Sequence, residues 1–103
     1  MKAITPGEIL KEDYLVPLAL SQNALARGLG VPPRAINEIV LGKRRISAAM
    51  SIRLGVFFKQ SPRFWLNIQS ECDIRQALKE AKSLTSHIQP FEAVAESGNP
   101  YQA

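Results

Sequence analysis

The sequence predicts an all-α domain, and three observations carry that prediction. Apolar residues recur at spacings of three and four through most of the chain, the period of helices buried on one face. Local punctuation cuts the pattern into short pieces: Pro6, Ser21, Pro33, Ser47 and Ser61-Pro62 stand where helices begin, and Gly28, Gly30 and Gly42 where they end. No alternation of period two persists long enough for a convincing strand. With 103 residues, 46% of them hydrophobic, the chain has material for one domain with a real core.

The first helix is expected over residues 6–15. Pro6 can occupy its first turn, Glu8 suits the positive end of the helix dipole, and Ile9, Leu10, Tyr14 and Leu15 supply the apolar spacing. Val16 precedes Pro17 and should be driven out of helical conformation, ending the helix there. Ser21 is a good cap for a second helix over 22–28, in which Ala24, Leu25 and Ala26 are apolar; either Gly28 or Gly30 can take the left-handed ending, and Gly28 is favoured because Arg27 closes the pattern. Small Ala26 allows a neighbouring helix to cross closely. Val31 plugs the turn. A third helix follows over 33–41, buried through Ile36, Ile39 and Val40, with Arg34, Asn37, Glu38 and Leu41 on its outer face and Gly42 closing it.

Ile46 anchors the next loop. Ser47 caps a fourth helix over 48–59 that is apolar almost all round (Ala49, Met50, Ile52, Leu54, Val56, Phe57, Phe58) and should be central. A fifth helix is expected to start at Ser61-Pro62 and run to Leu84, with Phe64, Trp65, Ile68, Cys72 and Leu78 near one stripe. Residues 1–84 thus form the domain, and 85–103 a mobile or loosely docked tail.

Net charge is +4 and unevenly spread. Residues 1–20 sum to −1 and residues 64–103 to −2, whereas residues 21–63 carry eight basic side chains (Arg27, Arg34, Lys43, Arg44, Arg45, Arg53, Lys59, Arg63) against Glu38 alone, a net +7. A polyanion is the natural partner of such a segment.

That segment contains SQNALARGLGVPPRAINEIVLGKRRI, two short helices about a glycine turn followed by a basic cluster: the layout of a helix-turn-helix that docks on double-stranded DNA. A helix fits the major groove, where Arg pairs with guanine and Asn with adenine. Arg34 and Asn37, three apart, share a face and can reach base edges together. Glu38 could accept from cytosine or make a salt bridge. Lys43, Arg44 and Arg45 follow where a DNA backbone would pass. Ser21 and Gln22 stand at a helix N-terminus, which offers N–H groups to a phosphate. An ordinary helical bundle with polar surface residues would show a similar pattern. Phe57-Phe58 and Phe64-Trp65 fit core packing better than base stacking.

Other classes find little footing. Cys72 and His87 are single residues of their kind, so neither an internal disulfide nor a zinc cluster can form, and a reducing cytoplasm suits the chain. Gly28-Leu29-Gly30 lacks the lysine and serine of a phosphate loop. No catalytic constellation, metal site or cofactor site is expected. MKAITPGEIL lacks the apolar run of a signal peptide, and no apolar stretch reaches the roughly 18 residues of a membrane span.

The stretches PGEIL, LSQNALARGLGV with INEIVLGKRRIS, and SPRFWLNIQ give a more specific signal. Across residues 6–75 the chain closely resembles the HigA antitoxins, which are Cro/C1-type (XRE) helix-turn-helix proteins also known as plasmid maintenance antidotes or virulence-associated protein I. The helix-turn-helix alone indicates a Cro/C1-type DNA binder; PGEIL and SPRFWLNIQ narrow it to this family. The resemblance implies a five-helix lambda-repressor-like fold with an extended C-terminal helix, a homodimer, binding of a RelE-like mRNA-cleaving toxin (HigB), and repression of its own operon at a palindromic operator. It also implies a bacterial cytoplasmic protein that joins the nucleoid when bound to DNA. By position, Gln22, Arg34, Asn37 and Lys43 match the family's DNA contacts. Pro33 occupies a base-reading position where many members carry a polar residue, which shifts specificity onto Arg34 and Asn37. A solitary regulator without a toxin, or a toxin-binding module with a vestigial helix-turn-helix, are the rival readings.

Overall fold

The computed structural model describes residues 4–92. Among them are six α-helices and no strand: α1 (Pro6–Ile9), α2 (Gln22–Leu29), α3 (Pro33–Val40), α4 (Ala48–Phe58), α5 (Phe64–Leu78) and α6 (Ala81–Thr85). The expected all-α class holds, with one helix more than the five expected. The outer parts of the expected arm and tail, residues 1–3 and 93–103, lie outside the described residues.

Thr5 and Glu8 open α1 with a reciprocal capping box. The Thr5 hydroxyl accepts the Glu8 N–H, and the Glu8 carboxylate accepts the Thr5 N–H, both at 3.1 Å. The expected continuous α-helix over 6–15 does not form: after Ile9 it widens into a π-helical stretch, Leu10–Leu15. Leu10 and Leu15, five apart, are both buried, while Lys11, Glu12 and Asp13 between them are exposed. Val16 is helical rather than extended, and its N–H reaches back five residues to Lys11. The wider turn gives room to Pro17, whose ring would otherwise meet the carbonyl four residues earlier. The chain instead leaves the helix at Ala19, which takes a left-handed φ of 51°.

The core gathers Leu10, Leu15, Leu25, Ala26, Leu29, Ala35, Ile36, Ile39, Ile46, Met50, Leu54 and Trp65. α3 packs on α2 and α1, and α5 packs on α4 and α1. Trp65 is fully buried; its indole N–H donates to Gln60 at 2.9 Å, and the Gln60 amide donates to the Tyr14 hydroxyl at 2.8 Å. A large aromatic is thereby buried without stranding its polar atom.

Two further expectations change. Ser61-Pro62 forms a turn rather than a helix start, and α5 begins at Phe64 without a cap from its own N-terminal side chains. The expected Ser61 hydroxyl accepts the Arg63 N–H in the turn at 3.0 Å, and inside the helix the cap comes from α4: the buried Ser51 hydroxyl accepts the Leu66 N–H at 2.9 Å and donates to the Pro62 carbonyl at 2.7 Å. The expected run to Leu84 breaks at Lys79–Glu80: beyond Gln69 no residue of α5 or α6 is fully buried, and from Ile74 to Glu80 every residue is exposed, so no packed face steadies a long helix there. Nor is α4 enclosed on all sides. Ser47 caps it as expected, but Ile52, Val56 (77% exposed) and Phe57 form an open apolar side. Of the two aromatic pairs, Phe58 and Trp65 face the core, and Phe57 and Phe64 are more exposed.

Candidate nucleic-acid interface

Local sequence sets both helices of the motif. Ser21 is extended and its hydroxyl accepts the Ala24 N–H at 3.0 Å, fixing the start of α2. The helix runs one residue further than expected, to Leu29, and the left-handed position is Gly30, with φ 72°, rather than Gly28, which remains helical. A Cβ at Gly28 would run into the Phe57 ring, so that glycine is needed for close packing, whereas Gly30 has open space around it. Gly30 and Val31 donate back to Arg27 and Ala26, which turns half-buried Val31 toward the core as the expected plug. Pro32 caps α3 and Pro33 takes its first turn, where no N–H is needed. Gly42, φ 77°, closes α3 as expected: its N–H donates to Ile39 at 3.0 Å and that of Lys43 to Glu38 at 2.8 Å.

α3 buries Ala35, Ile36 and Ile39, with Val40 half-buried, and turns Pro33, Arg34 and Asn37 outward. Of the site residues named from sequence, Gln22 and Asn37 pair with each other, while the three arginines pair with acids: Arg34 and Arg44 with Glu38, and Arg45 with Asp73. Asn37 donates from its amide to the Gln22 carbonyl oxygen at 3.2 Å, joining the third helix to the start of the second. Arg34 donates from Nε to Glu38 Oε2 at 2.9 Å. Arg44 donates to Glu38 Oε1 from Nη2 at 2.7 Å and from Nε at 2.9 Å. Glu38, open between two roles in the sequence, is therefore an ion-pair partner. Its contacts with Arg44 first and Arg34 second hold its carboxyl below the usual carboxylate range.

Arg45 turns away from α3 and pairs with Asp73 of α5 at 2.6 Å. Asp73 also accepts from the Gln69 amide at 3.0 Å, and the buried Gln69 oxygen accepts the Ile46 N–H at 2.8 Å. Ile46 is the expected anchor of this loop, and Gln69 and Asp73 are the supports that sequence reasoning missed. Lys43 makes no ion pair among the described residues. The i, i+4 spacing of Arg34 and Glu38 was a readable signal; nothing in the local sequence announced Gln69 or Asp73.

Among the described residues, no group of three or more His, Cys, Asp or Glu could hold a metal. Nor is any helix long and apolar enough to cross a membrane. Cys72 spends its thiol on the Ile4 carbonyl at 3.2 Å, and burial pushes that thiol up.

An exposed α3 supported by α2, with cations at its end, defines a helix-turn-helix protein of the DNA-binding class. The helix-turn-helix family matches residues 11–65. Virulence-associated protein I of Dichelobacter nodosus is 45% identical over 84 residues, 82% of this chain and 78% of its own. The structure of Pseudomonas aeruginosa antitoxin HigA with higBA promoter superposes with a TM-score of 0.82 at 41% identity, over 88% of this chain and 100% of that one. An addiction module antidote protein of the HigA family from Coxiella burnetii gives a TM-score of 0.81 at 39% identity, over 88% and 100%. The chain belongs to the HigA-type antitoxins of the helix-turn-helix family, a DNA-binding and not an enzymatic group.

Proposed function

We propose that this chain represses its own operon by sequence-specific binding of operator DNA and neutralises a HigB-like, RelE-like mRNA-cleaving toxin in the bacterial cytoplasm. The observation that carries the reading is the match to the Pseudomonas aeruginosa HigA structure with its promoter, across nearly all of the described fold. In this reading α3 enters the major groove. Arg34 and Asn37 read base edges, and Pro33 contributes shape where a polar reader is absent. Ser21, Gln22 and Lys43 position the phosphates, and Arg44 and Arg45 reach phosphate on the operator only by exchanging Glu38 and Asp73 for it. A homodimer would present two such helices about 34 Å apart, one turn of DNA. The open apolar side of α4 at Ile52 and Val56 is the kind of surface a second copy buries, which supports that assembly.

Two measurements test the reading. A gel shift with DNA from upstream of its own operon should show salt-dependent, competitor-resistant binding; absence of binding would leave a toxin-binding module with a vestigial helix-turn-helix. Co-expression with the adjacent upstream reading frame should relieve growth arrest. DNA binding without rescue would instead identify a solitary regulator.

A further inference from the structure

We propose that Glu38 is a built-in counterion of the DNA-facing surface, which orients Arg34 toward base edges while withholding Arg44 from phosphate, and so sets the ratio of specific to sequence-independent binding. This rests on the DNA-binding reading above.

Glu38 is the lone acid among residues 21–63, and it lies on the outer half of the very helix that would enter DNA. A carboxylate there repels phosphate on any sequence. Its effect on thermal stability is small, because its partners are open to solvent: the side chains of Arg34 and Arg44 are 83% and 48% exposed. What the pairings do control is which guanidinium nitrogens remain available.

The two arginines are held differently. Arg34 gives Glu38 only Nε. Its two terminal nitrogens, the fork that pairs with guanine O6 and N7, stay free while the side chain is steadied from behind. Arg44 gives Nε and Nη2 together, the same edge that would grip a phosphate. Contact between Arg44 and phosphate therefore requires exchange of one anion for another, with Glu38 remaining nearby as a repelling charge. A glutamate is ionised at neutral pH, and the arginine contacts shift Glu38 further in that direction, so the effect is permanent rather than switched by pH. Sequence-independent affinity comes almost wholly from phosphate contacts and the counterions they release. An arginine already neutralised within the protein contributes less to that release.

The test measures affinity against salt concentration on two duplexes, one from the upstream region of the operon and one of random sequence, for wild type, Glu38→Gln and Glu38→Gln/Arg44→Gln. On random DNA, Glu38→Gln should bind tighter and steepen the log–log salt slope by about 0.9, one phosphate contact. The double variant should return to the wild-type slope. Selectivity for the upstream duplex should fall roughly tenfold in Glu38→Gln, as Arg34 loses its support. Melting curves confirm that each variant is folded, and Glu38→Ala repeats the measurement independently. Unchanged slope and selectivity in both Glu38 variants would overturn the proposal, as would weaker binding to random DNA. If wild type itself bound neither duplex, the DNA-binding reading would fall and this one with it.

Discussion

Gln69, on α5, receives the main-chain N–H of Ile46 at 2.8 Å, tying the loop that follows α3 to a residue 23 positions further on. Both residues are buried, Gln69 to 6% exposure and Ile46 to 2%. Replacing Gln69 with Leu would leave a buried donor unpaired and release Asp73 from one of its contacts. We expect a loss of about 1–3 kcal/mol. A melting temperature lowered by less than a few degrees would show that the loop finds another acceptor.

Gly7 lies flat against the carbonyl of Ile39, with no space for a Cβ between α1 and α3. The obstruction is main chain and cannot swing aside. Gly7→Ala should therefore destabilise the fold by about 1–3 kcal/mol through forced separation of the helices. Denaturant unfolding checks this, and a variant as stable as wild type would refute the close approach.

The left-handed conformation of Ala19 predicts the opposite sign for a change to glycine. Ala19→Gly removes a Cβ penalty of about 1–2 kcal/mol and adds unfolded-chain freedom costing somewhat less, for a net gain of about 0.5–1 kcal/mol. Thermal melting should rise by a few degrees; a fall would mean that Ala19 is not strained.

Within the basic cluster, charge alone does not decide the outcome. Lys43 has no acidic partner among the described residues, whereas Arg45 is committed to Asp73. Lys43→Ala should weaken binding to all DNA sequences alike and lower the salt slope by about 0.9. Arg45→Ala should move the slope less and stability more. Arg34→Ala should relax base preference at one position in each half-operator and cost about 1–3 kcal/mol. Footprints and salt titrations of the three variants separate these effects.

Local chemistry made much of this fold readable. Ser21, Pro33, Gly42 and Ser47 act within a few residues of themselves, and each marks the boundary its type suggests. Where tertiary packing decides, sequence was mute. Gly28 and Gly30 look equivalent until the Phe57 ring lies over one of them. Ser61 holds the Arg63 N–H of the turn at 3.0 Å, as its type suggests, but the N–H of Leu66 inside α5 is held by Ser51 from another helix. The site shows the same division. The charge block and the outward set on α3 were visible. The commitments of Arg45 to Asp73 and of Ile46 to Gln69 were not, because no periodicity links residues more than twenty positions apart.

The π-helical stretch carries one residue more than an α-helix would use to bring Leu10 and Leu15 onto a common buried face. The surplus lies among Lys11, Glu12 and Asp13, all exposed. Excising Glu12, together with replacing Pro17 by alanine so that its ring no longer needs the wider turn, would set the two leucines four apart and let an ordinary α-helix take over with the same face inward. At this one place the chain is expected to survive a shortened reading frame of whole codons, where a single-residue loss within α2 or α3 would rotate apolar side chains out of the core.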